Sequence, residues 1–286
     1  MPSLIDIRRR VRSVRNTQQI TKAMKMISAA RLRKAQERAL AARPYAKMLG
    51  EILANVAAAA SQDPDAGGNP LLAVRPENKI LVVVVTADRG LAGGFNANLL
   101  KLAQRFVNEH KGAELTFELI GRKGRDYFRK RGARISGEHL DMMRALDLAY
   151  AEKIADAISE RFATAEIDAV YMFVNEFKSV VSPTLSETRL LPMEVPKSQE
   201  QVDCIYEQKP AELLGTLLPR YIKLQVYRAL LESVAAEHAS RMTAMDAASS
   251  NASDVIDKLT LYMNRVRQAS ITREIIEIVS GAAALD

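Results

Sequence analysis

The chain has 286 residues, 48% of them hydrophobic, which is enough for a sizeable core and too many for a disordered protein. Aromatic residues make up only 5% and tryptophan is absent, which disfavours an aromatic stacking platform for single-stranded nucleic acid. The single cysteine, Cys204, excludes an intramolecular disulfide, and three scattered histidines leave little for a metal cluster. No apolar run approaches the ~20 residues of a membrane span and no secretory signal is apparent, so we expect a soluble intracellular protein.

The net charge of +7 is concentrated in the first sixty residues. Residues 1–60 contain thirteen Lys and Arg against three Asp and Glu, whereas the rest of the chain is slightly acidic. With so few carboxylates, pairs four residues apart on a helix cannot offset the repulsion between neighbouring cations such as Arg8 and Arg12. This segment is therefore predicted to face an acidic partner surface.

Residues 1–60 are predicted to form one long coiled-coil helix. Ser3 is a candidate N-cap, and glycine is absent until Gly50. Apolar side chains recur at helical spacing in two groups, namely Ile7, Val11 and Val14, then Ile20, Met24 and Ile27. Pro44 indicates a kink rather than an end, because the residues after it again favour helix. Such a helix is roughly 80 Å long, far more than one globular domain requires.

Residues 61–78 are predicted to be a linker rich in Asp, Gly and Pro, and residues 79–207 an α/β domain. Residues 79–86 are a continuous apolar, β-branched run, typical of a strand buried on both faces. Further strands are predicted at 115–120 and 169–174, and helices at 96–110, 122–131 and 147–162. We interpret residues 180–206 as a strand extension with turns at Pro183, Pro192 and Pro196. Strands that alternate with helices predict a small Rossmann-like domain with a mainly parallel sheet.

Residues 208–286 are predicted to form a second long coiled-coil helix, because no glycine lies between Gly215 and Gly281. One series with a seven-residue period runs through Leu217, Leu224, Leu231, His238, Met245, Ala252, Leu259 and Val266. Its companion series runs through Tyr221, Arg228, Ala235, Met242, Ser249, Ile256, Met263 and Ser270. Only some of these residues are apolar, which indicates a weak seam. We predict an α/β fold with a long antiparallel coiled coil of the N- and C-terminal helices.

The glycine-rich turn (residues 87–95) links a buried strand to a helix, as phosphate-binding loops do. It lacks both the GxGxxG spacing and a Gly-Lys-Ser/Thr motif, so we interpret it as a structural turn. His238 has no second His or Cys near it in the sequence and is interpreted as a seam residue. Cys204 has no visible catalytic partner. Met24 and Met26 are either packing residues or adaptable contacts on an exposed neck.

Residues 7–36, residues 86–96 and residues 267–284 together resemble the gamma subunit family of F-type ATP synthases. The last segment contains the pattern I-T-x-E-x-x-E-x-x-x-G-A at residues 271–282. The three segments cover both ends and the middle in the right order, so the resemblance is highly specific. Ala92 stands where many relatives have cysteine, and the cysteine-bearing regulatory insertion of chloroplast members is missing.

The resemblance implies a non-catalytic rotor shaft that couples proton flow through a membrane sector to ATP synthesis or hydrolysis on β subunits. It implies as partners the α and β subunits, the epsilon subunit and the ring of c subunits. No cofactor, nucleic acid or direct membrane insertion is implied. The expected location is peripheral, on the cytoplasmic face of the bacterial inner membrane.

Contact residues also follow from the resemblance. Contacts with β are implied for Met24, Arg241, Arg267, Gln268 and Thr272, and a position facing the c-ring for Tyr206 and Glu207. From the charge asymmetry we predict that acidic loops of β meet a basic stripe, formed by Arg8, Arg12, Arg15, Lys22, Arg31, Arg33 and Lys34. Residues 278–285 have small and apolar side chains and no basic group, which suits a low-friction tip in an apolar sleeve.

Two other functions are compatible with parts of the sequence. A basic-zipper-like protein would place the basic helix in the major groove of DNA, but few base-reading Asn or Gln residues follow Gln36. That function predicts a DNA affinity that depends on salt. A nucleotide-dependent α/β enzyme would need a phosphate-binding motif and an acid–base constellation, neither of which is apparent in the sequence.

Overall fold

The computed structural model describes residues 3–60, 69–142, 146–179, 184–194 and 206–283. Its helices are α1 (Leu4–Ala60), α2 (Phe95–Glu109), α3 (Arg122–Arg129), α4 (Leu148–Ala163) and α5 (Pro210–Ala283), with a short 3-10 turn at Pro70–Leu72. Its strands are β1 (Lys79–Val85), β2 (Glu114–Ile120), β3 (Ile135–His139), β4 (Ala169–Glu176) and β5 (Thr184–Leu191). The chain divides into a smaller unit, residues 1–28 with 242–286, and a larger unit, residues 29–241.

The described strands of the larger unit form one sheet with the order β3-β2-β1-β4-β5. β1 pairs in parallel with β2 and β4, β2 pairs in parallel with β3, and β5 runs antiparallel to β4. β1 is central, and its side chains from Ile80 to Val85 are all buried, as expected of a strand covered on both faces. The predicted α/β domain with a mainly parallel sheet is therefore confirmed.

Two strands differ from the elements that the sequence predicts. The sequence pattern does not predict β3, because Ile-Ser-Gly-Glu-His contains neither an apolar run nor a clear alternation, and pairing with β2 makes it a strand. The segment interpreted as a strand extension contains a separate strand, β5, which returns antiparallel beside β4. Pro183, Pro196 and Cys204 lie outside the described residues.

The five strands together with α2, α3 and α4 are called the sheet domain. One part of its core forms between β1, β2, β4 and the inner face of α2. Leu99, Ala103 and Phe106 of α2 are buried in one cluster with side chains of these strands. The ring of Phe106 lies 5.2 Å from that of Phe173 in an edge-on arrangement, a favourable geometry for aromatic pairs. This packing fixes the position of α2 and of the glycine-rich turn before it.

The middle of α5 is enclosed within the larger unit. Every residue from Leu230 to Ala239 is buried, so no face of this segment is open to solvent. Leu231 and His238 of this segment line one cavity with Ala35 and Arg38 of α1, and Ala236 packs in a cluster with residues of the glycine-rich turn. Lys223 Nζ lies 2.9 Å from Asp156 Oδ1 and links α5 to α4 as well. The sheet domain is therefore attached to α5 at several points.

The smaller unit contains the ends of both long helices side by side. Thr21 Oγ1 and Ser249 Oγ share a buried hydrogen bond of 2.7 Å, and Gln18 Nε2 donates to Ser249 O at 3.3 Å. Lys25 Nζ lies 2.5 Å from Asp246 Oδ1. Because the residue numbers rise on one helix as they fall on the other, the two segments are antiparallel, as predicted.

The inward face of α1 follows a different series of residues from the one predicted. Ile20 and Ile27 are exposed at 60% and 54%, so the prediction that they resume the apolar spacing is wrong. Thr21 and Ser28 are buried instead, and they continue the 4-3 spacing from Ile7. These small polar side chains let α5 approach closely, and Thr21 satisfies its hydroxyl by bonding Ser249.

On α5 the predicted seam is confirmed. Every member of the first seven-residue series, including His238, is buried or half-buried, and Arg228 is the exposed exception in the companion series. α1 continues through Pro44 and α5 through Pro219. The two units each combine parts of both long helices, and the division into segments 1–60, 61–78, 79–207 and 208–286 stays a prediction.

Candidate functional site

The glycine-rich turn is anchored to the neighbouring strand and helix of the sheet domain. Thr86, just before it, donates its hydroxyl hydrogen to Ile120 O at 3.0 Å and accepts the N–H of Gly124 at 2.8 Å. Within the turn, Asp88 Oδ1 accepts the N–H of Arg122 at 3.1 Å. The turn is therefore fixed to the first residues of α3 and cannot shift without breaking these bonds.

The inner face of the turn packs against α5. Ala87, Ala92 and Phe95 form a buried cluster with Ala236 of α5. Leu91 has a φ of 62°, an uncommon conformation for a bulky residue, and its side chain is exposed. The inner face of the turn is thus covered by α5, in keeping with its interpretation as a structural turn.

Arg241 holds the turn and α5 together by polar contacts. Its Nη2 lies 2.7 Å from Glu237 Oε1, one helical turn earlier, and donates to Gly90 O at 3.4 Å. Its Nη1 lies 3.5 Å from His238 Nδ1. Sequence reasoning singled out Arg241 and the glycine-rich turn separately, but it missed Glu237 and the contact of Arg241 with Gly90 O. The Glu-x-x-x-Arg spacing is typical of an ion pair within a helix and could have indicated Glu237. No sequence signal indicates Gly90 O, because it lies 151 positions from Arg241.

Burial shifts the titration of two of these residues. It raises the pKa of Glu237, although the charge of Arg241 acts in the opposite direction. The pKa of His238 is lowered from 6.5 to about 4, chiefly by burial and also by the positive charges of Arg241 and Arg31. His238 is therefore neutral at physiological pH, and its surroundings carry positive potential.

We expect acid to destabilise the chain through His238. Because its pKa is about 4 when folded and 6.5 otherwise, the unfolded chain binds the proton first, and stability is lost as the pH falls between these values. In a His238→Gln variant, the loss of unfolding free energy between pH 7 and 4.5 should be smaller by about 2–3 kcal/mol. Urea denaturation of both proteins at each pH measures this difference. The raised pKa of Glu237 acts in the opposite sense in both proteins, so identical pH profiles would contradict the assignment.

A cavity of about 800 Å³ lies beside these residues in the larger unit. Its acidic lining residues are Asp88, Asp147 and Glu237, of which Glu237 pairs with Arg241. Among the residues that the structure describes, four of its cations form no ion pair: Arg31, Lys34, Arg38 and Arg89. With five cations against three carboxylates, the cavity wall carries a net positive charge.

The basic stripe is exposed at every position. Four members, Arg8, Arg12, Arg15 and Lys22, belong to the smaller unit, and Arg31, Arg33 and Lys34 belong to the larger one. Arg33 pairs with Glu37 one turn away at 3.1 Å, and such an exposed ion pair contributes little to stability. Most of the charge of the stripe is thus available to a partner.

The residues implied to contact β occupy different environments. Met24 is half-buried on α1, and Arg267, Gln268 and Thr272 are exposed on α5, all within the smaller unit. Arg241 is buried, with 9% of its surface exposed, in the larger unit. Tyr206 is half-buried and Glu207 exposed, shortly before α5 begins. Contacts of these residues with β or with the c-ring stay predictions.

The end of α5 exposes apolar side chains. All residues from 271 to 280 are exposed, among them Ile275, Ile276, Ile278 and Val279. A cluster of this kind on a charged helix indicates a surface that a partner covers. Residues 284–286 lie outside the described residues.

The described residues offer neither a metal site nor a membrane-spanning helix. In the described ranges, no group of three or more His, Cys, Asp or Glu side chains is arranged to hold a metal ion. None of the helices in the described part of the chain combines the length and the hydropathy that crossing a bilayer requires.

Comparison with solved structures supports this fold. The chain is similar to a chain of the mitochondrial ATP synthase rotor of Euglena gracilis, with a TM-score of 0.67, 19% identity and coverage of 94% of this chain and 98% of that chain. It is also similar to a chain from the central stalk and c-ring of the Tetrahymena thermophila mitochondrial ATP synthase. There the TM-score is 0.62 at 24% identity, with coverage of 80% and 99%.

Sequence comparison is more specific than fold similarity. A family described as ATP synthase matches residues 3–285. The ATP synthase gamma chain of Solibacter usitatus is 62% identical over 286 residues, and the match covers 100% of both chains. The ATP synthase gamma chain of Pelotomaculum thermopropionicum is 48% identical over 291 residues, again with 100% coverage of both. Identity at this level over the whole length places the chain in the ATP synthase gamma chain family.

Proposed function

We propose that this chain is the central rotor shaft of a proton-translocating F-type ATP synthase. The observation that carries the proposal is the full-length identity of 62% to an ATP synthase gamma chain. The antiparallel helix ends and the sheet domain attached to α5 support it, because a shaft needs a stiff rod and a body on which torque can act. The chain itself is non-catalytic, and nucleotide chemistry takes place on β subunits.

The partners follow from this role. The α and β subunits surround the exposed end of α5, and the epsilon subunit and the ring of c subunits meet the sheet domain, where Tyr206 and Glu207 face the ring. The complex places the chain peripherally on the cytoplasmic face of the bacterial inner membrane. The positively charged α1 faces acidic protein surfaces rather than nucleic acid.

Coupling requires that the shaft interact differently with the conformations of three otherwise identical sites. The charge of the chain is lopsided, since α1 is strongly basic and α5 is nearly neutral. The basic stripe therefore attracts an acidic loop on the one β subunit that it faces. Rotation of the stripe moves this bias from one catalytic site to the next.

The rotor role is tested by assembling the chain with the α and β subunits of its own complex and attaching a probe to the sheet domain. We expect ATP to drive stepwise rotation of the probe. The purified chain should hydrolyse no ATP. A complex that hydrolyses ATP while the probe stays still, with the chain bound, would contradict the rotor role.

Removing three positive charges from the part of the basic stripe in the smaller unit should weaken the coupling of rotation to ATP synthesis. We expect ATP synthesis to fall about fivefold or more at low salt, and the deficit to narrow as salt screens the charges, in a variant with three Gln replacements: Arg8, Arg12 and Arg15. A matched control replaces three exposed lysines of the sheet domain with Gln: Lys101, Lys111 and Lys130. Equal synthesis rates in the stripe variant and the control would count against the charge mechanism.

A further inference from the structure

We propose that the glycine-rich turn, Glu237 and Arg241 form a torque joint, through which load passes between the sheet domain and α5 in the larger unit. The inference rests on the proposed rotor function and extends it, because it names the contact that transmits rotation from the body to the helix. Glu237 is its positioning residue. It acts by holding Arg241 against the turn.

The apolar half of the joint is a close fit between small side chains. Ala236 of α5 has no exposed surface and packs with Ala87, Ala92 and Phe95 of the turn. Asn175 of β4 is also buried and donates its Nδ2–H to Phe95 O at 3.4 Å. Small side chains bring the turn backbone near the helix, so there is little room for the helix to slide.

The polar half of the joint crosses the same interface. Arg241 reaches from α5 to Gly90 O, and Glu237 Oε1 holds the same Nη2 at 2.7 Å. Both side chains are nearly buried, with 11% and 9% of their surfaces exposed, so water screens the pair weakly. One carboxylate thus orients one guanidinium towards a single backbone carbonyl.

The far side of the turn is rigidly connected to the sheet. Thr86 N–H donates to Ile120 O at 2.8 Å, and Lys123 N–H donates to Ala87 O at 3.2 Å. The turn is therefore bonded to β2 and α3 on one side and to α5 on the other. A rotation of the sheet domain about the helix would have to break one of these two sets of contacts.

A buried ion pair suits a mechanical role better than a stabilising one. Desolvation of the two charges cancels much of their attraction, and well-packed apolar residues of similar size are often at least as stable. The raised pKa of Glu237 reflects this desolvation. The pair instead restricts the geometry of the interface, because a charge-assisted hydrogen bond is directional and apolar contacts are not.

The joint is tested with Glu237→Gln, which keeps the size of the side chain but removes its charge, in the full chain and in the assembled complex. The matched control is Glu232→Gln. Glu232 is buried to a similar degree on the same helix and pairs with Arg228 at 3.0 Å, and within the described part of the chain it forms no ion pair with the turn. Arg241 is left unchanged, because it is also a predicted contact of β.

Two measurements separate a joint from ordinary stabilisation. In the full chain, amide hydrogen exchange of the glycine-rich turn should accelerate about tenfold in Glu237→Gln and stay unchanged in Glu232→Gln. In the complex, protons pumped per ATP hydrolysed should fall at least about threefold in Glu237→Gln while ATP hydrolysis continues. Glu237→Asp should restore part of this ratio, since it restores the charge.

The outcomes distinguish the joint from the rotor function itself. If exchange in the turn is the same in Glu237→Gln as in the unsubstituted chain, the joint does not exist. If exchange accelerates but the pumping ratio is unchanged, the contact is structural and the torque joint is wrong. A complex of the unsubstituted chain that fails to rotate would instead overturn the proposed function, whatever the exchange result.

Discussion

Replacement of Gly121 by alanine should lower the free energy of unfolding by about 2–6 kcal/mol. Gly121 precedes α3 and has a φ of 91°, a region that side chains with a Cβ rarely adopt. A Cβ at this position would lie 2.0 Å from Thr86 O, a backbone atom that cannot rotate away. Either β1 and β2 must separate or the start of α3 must move. Chemical denaturation of the two proteins measures the loss.

The matched control for this prediction is Gly112→Ala. Gly112 lies in the turn between α2 and β2, and a Cβ added there would meet no heavy atom within 4 Å. We expect this variant to lie within about 0.5 kcal/mol of the unsubstituted chain. If both variants lost the same stability, crowding against Thr86 could not be the cause.

Replacement of Phe173 by alanine should lower the free energy of unfolding by about 3–5 kcal/mol. Phe173 lies on β4, has no exposed surface and packs edge-on against Phe106 of α2. Truncation removes an aromatic pair and leaves a cavity in the core. The cavity cannot close easily, because β4 is hydrogen-bonded to β1 on one side and to β5 on the other. Since this core positions α2, the turn should also exchange its amide hydrogens faster.

Two comparisons test the cavity explanation for Phe173. Phe173→Leu fills most of the space and should lose clearly less stability than the alanine variant. Tyr45→Ala removes an aromatic ring that is 58% exposed on α1 and should change stability by no more than about 0.5 kcal/mol. A Phe173→Ala variant as stable as Tyr45→Ala would contradict the assigned core.

Part of the candidate site can be predicted from the sequence. The failed phosphate-loop motif leads to a structural turn from a few neighbouring residues. Arg241 is reached only through the resemblance, because it lies outside the three matching segments. The same local reasoning misplaces the inner face of α1. It follows the apolar residues Ile20 and Ile27, whereas Thr21 and Ser28 are the buried residues in the structure, and Thr21 bonds Ser249 of α5.

Local sequence is enough to identify the long helices, the central strand and the family, since helical periodicity, β-branched runs and family motifs are properties of neighbouring residues. Which residues meet depends on the folded chain. Ser249 makes Thr21 an inward residue from 228 positions away, and Gly90 receives Arg241 from 151 positions away. Such contacts depend on how distant segments approach in space. Neither the buried hydrogen bond between Thr21 and Ser249 nor the contact of Arg241 with the turn produces a pattern among neighbouring residues.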